Sequence, residues 1–175
     1  PFYYYWYYDG LVYVYDWNGT DWVQTGSVIK GLPGEGFGLE VSLSADGSTN
    51  AVGSKLTVNE AGGKRTGSVR TYRLSEGSWV QVGQTIYGDG EGDEAFFSAL
   101  DETGDTLAVG LHKNDVLGSD SGEVRVFNLV DGIWTRKGQS LYGVEGDLFG
   151  GRISLSDSGD VAAISAYDDD ERGYT

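Results

Sequence analysis

Apolar and polar residues alternate in short runs along this chain, and the runs recur at a spacing of roughly 55 residues. Each repeat begins with an alternating run that opens at a glycine: Gly10, Gly67 or Gly122. Twelve residues later a tryptophan begins a second run: Trp22, Trp79 or Trp134. Alternation with a period of two is typical of a half-buried strand, and a turn rich in Gly, Asn, Asp and Ser separates the two runs. The pattern therefore predicts β-hairpins.

A second hairpin follows in each repeat, around a turn glycine at Gly47, Gly104 or Gly159. Its return strand is small and apolar: Ala51-Val52-Gly53, Ala108-Val109-Gly110 or Ala163-Ile164-Ser165. Because small residues suit places where sheets converge, we predict that this strand is the innermost of its repeat. Four strands per repeat predict an all-β fold of about three four-stranded antiparallel blades, which is a partial or array-forming β-propeller.

The repeat spacing divides the chain into an aromatic N-terminal segment at 1–9, three blade-like repeats at 10–66, 67–121 and 122–172, and the beginning of a truncated fourth repeat at 173–175. Residues 2–8 are all aromatic, and such a run has to be buried by its own chain or by a neighbour. Two interpretations stay open at this point: a strand lent to an adjacent subunit, or residues that are not part of the natural sequence.

Aromatic residues at repeated positions are predicted to form the core between adjacent sheets: Trp22, Trp79, Trp134, Phe37 and Phe149. Repeat length varies only after the small-residue strand, at 54–66, 111–121 and 166–172. Variable connections usually lie on the surface and carry function, so a binding surface is expected in these loops.

Composition narrows the classes of function. The chain has 175 residues and no cysteine, which excludes a disulfide framework and thiol catalysis. Its net charge of −15, from 27 acidic and 12 basic residues, repels phosphate backbones, so no nucleic-acid partner is expected. No apolar run approaches the ~20 residues of a membrane helix. We expect an acidic protein at an extracellular or cell-surface location.

Two segments resemble the FG-GAP repeat. In the first repeat, Phe37-Gly38 opens a strand and Ala51-Val52-Gly53 closes the next. In the third, Phe149-Gly150 and Ala163-Ile164-Ser165-Ala166 are similar, whereas the second repeat has Glu94-Ala95 and Leu111-His112 at these places. The resemblance covers residues 10–170 and implies four-stranded blades like those of integrin α-subunit β-propellers. Such blades hold calcium through an Asp-x-Asp/Asn-x-Asp-Gly-like run, which no repeat of this chain contains, so that site is not carried over.

Other candidate sites are few. The acidic run Asp168-Asp169-Asp170 supplies candidate calcium ligands, and no other cofactor is expected. Asn18-Gly19-Thr20 fits the N-glycosylation pattern, and Asn-Gly is also a favoured hairpin turn. His112 is the only histidine, and a single loop histidine is usually inert. No carboxylate pair stands out by spacing, so we expect a protein that is not an enzyme; catalysis would require carboxylate and arginine positions facing a common channel.

Three blades do not close a propeller, which typically has four to eight. The open edges of such an array must be covered, so self-association or pairing with further repeats of the same chain is expected. The leading hypothesis is a non-enzymatic extracellular scaffold or adhesion protein, as a self-assembling fibre subunit. The alternative is a ligand-recognition module that binds a glycan or a protein through the variable loops.

Overall fold

The computed structural model describes residues 9–59 and 61–167, which form an all-β fold of antiparallel sheets, with no helix among these residues. Its strands are β1 (Leu11–Val12), β2 (Tyr15–Trp17), β3 (Trp22–Gln24), β4 (Ile29–Lys30), β5 (Phe37–Leu43), β6 (Thr49–Ser54), β7 (Val58–Asn59), β8 (Lys64–Arg65), β9 (Ser68–Ser75), β10 (Ser78–Tyr87), β11 (Ala95–Leu100), β12 (Thr106–Leu111), β13 (Glu123–Val130), β14 (Ile133–Arg136), β15 (Leu141–Tyr142), β16 (Ile153–Leu155) and β17 (Ala162–Ile164).

Two complete sheets form the middle of the array. The first has the order β10-β9-β6-β5. The second has the order β11-β12-β13, and β14 and β15 both pair with β13 as two segments of a broken outer strand. The registers correspond, since Ala51 pairs with Thr71 in the first sheet and Ala108 pairs with Val126 in the second. The predicted four-stranded antiparallel sheets are therefore present.

A partial sheet lies on either side of the two complete ones. The pairs β1–β4 and β2–β3 correspond in the repeat to the two outer strands of a sheet. The pair β16–β17 corresponds to the two inner strands. A small hairpin, β7–β8, lies in the connection between β6 and β9.

The sheets and the sequence repeats are out of phase. The first strand of a repeat pairs with the return strand of the preceding repeat, as β9 does with β6 and β13 with β12. Each complete sheet thus takes its inner hairpin from one repeat and its outer hairpin from the next. As hydrogen-bonded sheets, the blades span 37–87 and 95–142, whereas the sequence repeats span 10–66, 67–121 and 122–172.

The small-residue strands are not the innermost strands, contrary to the prediction. Strands β6 and β12 are buried along their whole length and lie second in their sheets, while β5 and β11 form the inner edges. Their small size has another cause, which is the close approach of the following sheet. A Cβ atom on Gly53 would overlap the carbonyl oxygen of Phe96, and one on Gly110 would overlap that of Gly150.

Tryptophans join the successive sheets. Trp79 packs on Gly26 of the preceding hairpin, and Trp134 packs on Gly83 of the preceding sheet. Both are buried, with 7% and 3% of their surface exposed. Phe37 is also buried, and Phe149 is partly buried. Trp22 departs from the prediction of a core residue, because it is 68% exposed: no sheet in the described part of the chain lies before it.

Candidate functional site

The loops that vary in length gather at one end of the sheets. The connections after β6 and β12 lie beside the connections that lead into β5 and β11. Backbone hydrogen bonds join them: Leu56 N–H donates to the Glu35 carbonyl at 2.9 Å, and Lys113 N–H donates to the Asp93 carbonyl at 3.4 Å. Loops held on a rigid scaffold are the usual carriers of binding residues. Two of the three loops expected to form a binding surface, 54–66 and 111–121, therefore meet the chain segments that open the inner strands.

A compact charged cluster lies among these loops. Glu94 Oε2 is 3.1 Å from Lys55 Nζ and 3.3 Å from His112 Nε2, and Glu94 Oε1 is 3.4 Å from Lys113 Nζ. The side chain of Glu94 is 16% exposed, while those of Lys55 and Lys113 are 37% and 42% exposed. One shielded carboxylate is thus surrounded by two cations that face solvent.

Aromatic rings form the floor of this cluster. The Phe96 and Phe97 rings lie 4.3 Å apart, and the His112 ring meets Phe97 edge-on at 5.1 Å. Lys55 Nζ lies 5.7 Å from the centre of the Phe96 ring, and the Arg152 guanidinium lies 5.1 Å from the centre of Phe97. These distances fit cation–π contacts. An aromatic surface edged by cations can take the apolar face of a ring-shaped ligand while binding its polar groups.

Equivalent positions on three successive inner strands carry an acid, a ring and a base. The repeat alignment places Glu40 of β5, Phe97 of β11 and Arg152, just before β16, at the same position. Burial raises the pKa of Glu40, and the Arg152 charge partly offsets this rise. Arg152 thus lies within electrostatic range of Glu40, and its guanidinium is 5.1 Å from the centre of the Phe97 ring.

The pKa of the histidine in this cluster is lowered. Burial lowers the pKa of His112, the Glu94 carboxylate acts in the opposite direction, and the charges of Lys113 and Lys55 lower it further. Its Nδ1 atom is buried without a hydrogen-bond partner. We infer that His112 positions the Phe97 ring and Glu94, because its ring packs edge-on against Phe97 and its Nε2 lies 3.3 Å from Glu94 Oε2. We call this whole group the inner-edge site, which consists of Glu40, Lys55, Glu94, Phe97, His112, Lys113 and Arg152.

A second polar region lies between the outer strands of the two complete sheets. This outer cleft has a volume of about 530 Å³, and its polar lining includes Asp89, Glu123, Arg125, Arg136 and Ser140. Arg125 forms a two-point pair with Glu123, at 2.9 and 2.8 Å, and also binds Asp89. Burial acts to raise the pKa of Glu123, but the hydrogen bonds from Arg125 and Ser140 outweigh it and the net pKa is lowered. The polar groups of this cleft satisfy one another, so it is less suited to a ligand than the inner-edge site.

The other sequence-predicted sites lie apart from the inner-edge site. Asn18 is exposed in the turn between β2 and β3, where its Oδ1 accepts hydrogen bonds from the Thr20 and Asp21 N–H groups, each at 2.9 Å. The candidate calcium ligands Asp168, Asp169 and Asp170 lie outside the described residues, as do 1–8 and 173–175. Within 9–59 and 61–167, no group of three acidic, histidine or cysteine side chains could hold a metal ion.

Sequence reasoning missed Glu40, Phe97 and Arg152, although the signal was available. The alignment of the three repeats already put them at one position, and their different chemistry distinguished this position from the recurrent core. The alignment does not show that β5 and β11 form the inner edges of their sheets, which is what brings the three positions onto one surface.

No protein-family model matches the chain, and a search of curated proteins finds no match. Among solved structures, the periplasmic gluconolactonase PpgL of Pseudomonas aeruginosa is similar, with a TM-score of 0.53 and 20% sequence identity. The likeness covers 88% of this chain and 42% of that one, so this chain corresponds to less than half of its neighbour's length. At this identity the comparison shows the fold alone: the chain is all-β and β-propeller-like.

The comparisons correct one expectation and leave another without support. The expectation that the chain is not an enzyme is contradicted, because a structure of similar fold is, by its name, an enzyme. The FG-GAP resemblance is not supported by any family match. In the described residues there is also no helix of the length and apolarity that crossing a membrane requires.

Proposed function

We propose that this chain is a β-propeller module that binds a small polyhydroxylated ligand, such as a sugar or a sugar acid, at the inner-edge site. The observation that carries the proposal is the placement of Glu40, Phe97 and Arg152 at one repeat position on neighbouring inner strands. Sites for small molecules combine an apolar or aromatic surface with a few convergent polar groups. Here Phe97 supplies the surface, and the acid and the base flank it.

Charge favours an anionic member of this ligand class. Lys55, Lys113 and Arg152 gather at the inner-edge site in a chain whose net charge is −15. A local excess of cations on an acidic protein directs a small anion to that place. A planar guanidinium binds a carboxylate through two parallel hydrogen bonds, so Arg152 is suited to the carboxylate of a sugar acid.

Titration of the purified chain with D-gluconate and D-glucose, followed by calorimetry or by NMR shifts of the Phe97 region, tests the proposal. We expect gluconate to bind more tightly than glucose and Arg152→Gln to weaken gluconate binding by about tenfold. Arg73→Gln is the control, because it removes the same charge from an arginine that pairs with Asp105 and lies away from the site. Absence of binding by both probes, or equal losses in the two arginine variants, would reject the ligand site.

A second function, hydrolysis of a lactone or ester, is favoured by the raised pKa of Glu40 beside Arg152. A carboxylate whose pKa is raised towards the working pH is a better general base. Glu40 would take a proton from water as the water oxygen bonds to the carbonyl carbon, and Arg152 would stabilise the oxyanion. The ring C–O bond then breaks, the leaving oxygen takes the proton from Glu40, and a hydroxy acid is released. The similar structure is a gluconolactonase by name, which makes a sugar lactone the first substrate to test.

Proton release from D-glucono-1,5-lactone, measured against the spontaneous rate in a pH-stat, tests the second function. We expect a rate above background that Glu40→Gln removes while gluconate binding is retained. Glu76→Gln, at an exposed hairpin turn, is the control and should leave the rate unchanged. If the wild-type chain does not exceed the spontaneous rate, the hydrolytic function is excluded and the binding function stands on its own titration.

The finer architectural interpretations remain proposals. An FG-GAP relationship is supported by Phe37-Gly38 and Phe149-Gly150, and a partial propeller by two complete and two partial sheets. An extracellular location is supported by the accessible Asn18 and by the periplasmic origin of the similar structure. A scaffold or adhesion role in a filament is supported by the exposed sheet edges. Electron microscopy of the native material would test the filament, since isolated particles would contradict it.

A further inference from the structure

The turn between β2 and β3 holds an asparagine side chain over the peptide that follows it. Asn18 Oδ1 accepts hydrogen bonds from the Thr20 and Asp21 N–H groups, each at 2.9 Å, and Thr20 Oγ1 lies 2.9 Å from the same atom. An amide NH₂ group accepts no hydrogen bond, so the atom that receives both N–H groups is the carbonyl oxygen. A side-chain oxygen bound to the N–H two residues later places its carbonyl beside the intervening residue, which here is Gly19.

The fold leaves both reacting nitrogens of this turn free. The Gly19 N–H has no acceptor, and neither has Asn18 Nδ2, among residues 9–59 and 61–167. Apart from the two chain neighbours of Gly19, no atom lies within 4 Å of the position that a Cβ on this residue would take. The peptide nitrogen of Gly19 can therefore approach the Asn18 side chain without breaking a hydrogen bond or meeting another side chain.

Solvent reaches this turn because it is the tip of a hairpin. Asn18, Gly19 and Thr20 are exposed. The equivalent tips of the two complete sheets, at 75–78 and 130–133, are exposed as well, although these sheets pack on neighbouring sheets. Exposure is thus a property of the tip at every position in the array, and water has access to the Asn18 amide.

We propose that Asn18 is a self-modification site, at which the folded turn promotes loss of the side-chain amide as ammonia. The Gly19 nitrogen bonds to Asn18 Cγ while its proton passes to water. The negative charge that develops on Oδ1 is stabilised by the donors already bound to that atom, as in an oxyanion hole. The Cγ–Nδ2 bond then breaks, the amide takes a proton from water and leaves as ammonia, and a cyclic succinimide remains.

Water reopens the succinimide in one of two ways. Addition to the side-chain carbonyl gives aspartate at position 18, whereas addition to the main-chain carbonyl gives isoaspartate, in which the main chain runs through the former side chain. Either product adds one negative charge to a chain whose net charge is −15. Isoaspartate also lengthens the main chain at the tip by one carbon atom, which disturbs the pairing of Trp17 with Trp22.

Two other asparagines share the side-chain contact but not the glycine. Asn59 Oδ1 accepts a hydrogen bond from the Ala61 N–H at 3.1 Å, and Asn114 Oδ1 accepts one from the Val116 N–H at 3.0 Å. An acidic residue follows each of these asparagines in the sequence. A residue with a Cβ hinders the approach of its own nitrogen to the preceding side chain, whereas glycine does not. We therefore expect Asn59 and Asn114 to stay intact while Asn18 reacts.

Incubation of the purified chain at mildly alkaline pH, followed by peptide mass spectrometry, tests the site. Production in a bacterial host keeps Nδ2 free of glycan, and enzymatic methylation of the isoaspartate carboxylate measures that product. We expect ammonia loss at Asn18 to be about threefold faster in the folded chain than in the same chain unfolded in urea, because only the turn supplies the donors to Oδ1. An equal or slower rate in the folded chain, or reaction at Asn59 or Asn114 in place of Asn18, would overturn the proposal.

Two variants separate the nucleophile from the donors. Gly19→Ala should slow the reaction by about tenfold or more in both the folded and the unfolded chain, since the methyl group hinders the nitrogen. Thr20→Val removes one donor but keeps Gly19, so we expect it to slow only the folded chain, by about twofold to threefold.

Thr103→Val is the matched control for the threonine variant. Its hydroxyl is also exposed in a turn and lies 3.4 Å from an oxygen of Asp105, as the Thr20 hydroxyl lies 3.1 Å from an oxygen of Asp21. The Thr103 variant should react at the wild-type rate, and circular dichroism checks that each variant folds. Equal rates for folded Thr20→Val and folded wild type would contradict the role of the donors.

Discussion

Two of the interfaces between successive sheets have the same apolar contact. At the first interface, between the outer hairpin 11–30 and the sheet 37–87, Trp79 packs on Gly26. At the second interface, between the sheets 37–87 and 95–142, Trp134 packs on Gly83. The recurrence follows from the fixed distance between sheets, because an indole fills that space only where the facing residue has no side chain.

The polar contacts at the two interfaces differ, although they involve the same arginine position. Arg70 pairs with Glu35, which comes from the loop before β5. Arg125 pairs with Glu123, two residues earlier on its own strand, and also with Asp89. A buried arginine requires a carboxylate partner, but the partner can come from the arginine's own strand or from a distant loop. Packing between the sheets thus requires a tryptophan and a glycine at fixed positions of the repeat. Neutralising the arginine requires only that a carboxylate lies nearby, at whatever position of the repeat.

Replacement of the interface tryptophans has the largest expected effect on this comparison. We expect Trp134→Ala and Trp79→Ala each to lower the free energy of unfolding by about 3 to 5 kcal/mol, because each leaves a cavity between two sheets. Both indoles donate a hydrogen bond, Trp134 Nε1 to Thr71 Oγ1 at 2.9 Å and Trp79 Nε1 to the Thr25 carbonyl at 3.0 Å. Trp134 is the more buried, so its replacement should cost at least as much. Urea unfolding measures both values.

Trp22→Ala is the control for these variants. This side chain is 68% exposed, so we expect a change of about 0.5 kcal/mol or less. A loss as large as that of Trp79→Ala would contradict the exposed position of Trp22.

The same contrast explains how much the sequence could predict. The hairpins, the turn glycines and two of the three core tryptophans follow from periodicity, because packing repeats with the backbone. The sequence could not show which hairpins combine into one sheet, because a hairpin gives no sign of whether it pairs with the preceding or the following hairpin. Trp22 was wrongly placed in the core because its position in the repeat does not reveal that, among residues 9–59 and 61–167, no sheet lies before it. The inner-edge site was missed because Glu40 and Arg152 differ between repeats, and repetition reveals only what is alike.

Removal of the carboxylates tests whether the two arginine networks differ in strength. We expect Glu35→Gln to cost about 3 kcal/mol, because Arg70 has no second carboxylate within 4.0 Å in the part of the chain described. Glu123→Gln should cost less, about 1 to 2 kcal/mol, since Arg125 keeps Asp89. Urea unfolding of both variants checks the order, and a larger loss for Glu123→Gln would mean that Asp89 does not compensate.

Acid unfolding gives a second measure of the Glu123 network. The pKa of Glu123 is lowered in the folded protein, so its contribution to stability is present above its ordinary value of 4.5 and is lost as the pH falls below that. Stability of Glu123→Gln should therefore depend less on pH in the acid range than stability of the wild type. Unchanged pH dependence would contradict the lowered pKa.

Replacement of His112 should have the smallest effect on stability. It compares the two complete sheets at one repeat position, because Lys55 is the equivalent residue of the first repeat. Burial lowers the pKa of His112 below its ordinary value of 6.5, so the folded protein binds fewer protons than the unfolded chain. The resulting stabilisation is fully present above pH 6.5 and decreases as the pH falls below it. We expect the melting temperature of His112→Gln to change less between mildly alkaline and mildly acidic pH than that of the wild type. Lys55→Gln should keep most of the wild-type slope, because the Lys55 charge is a smaller cause of the lowered pKa of His112 than burial is. This chain has no other histidine. If the melting temperature of His112→Gln still falls between mildly alkaline and mildly acidic pH, a group of another residue type is responsible.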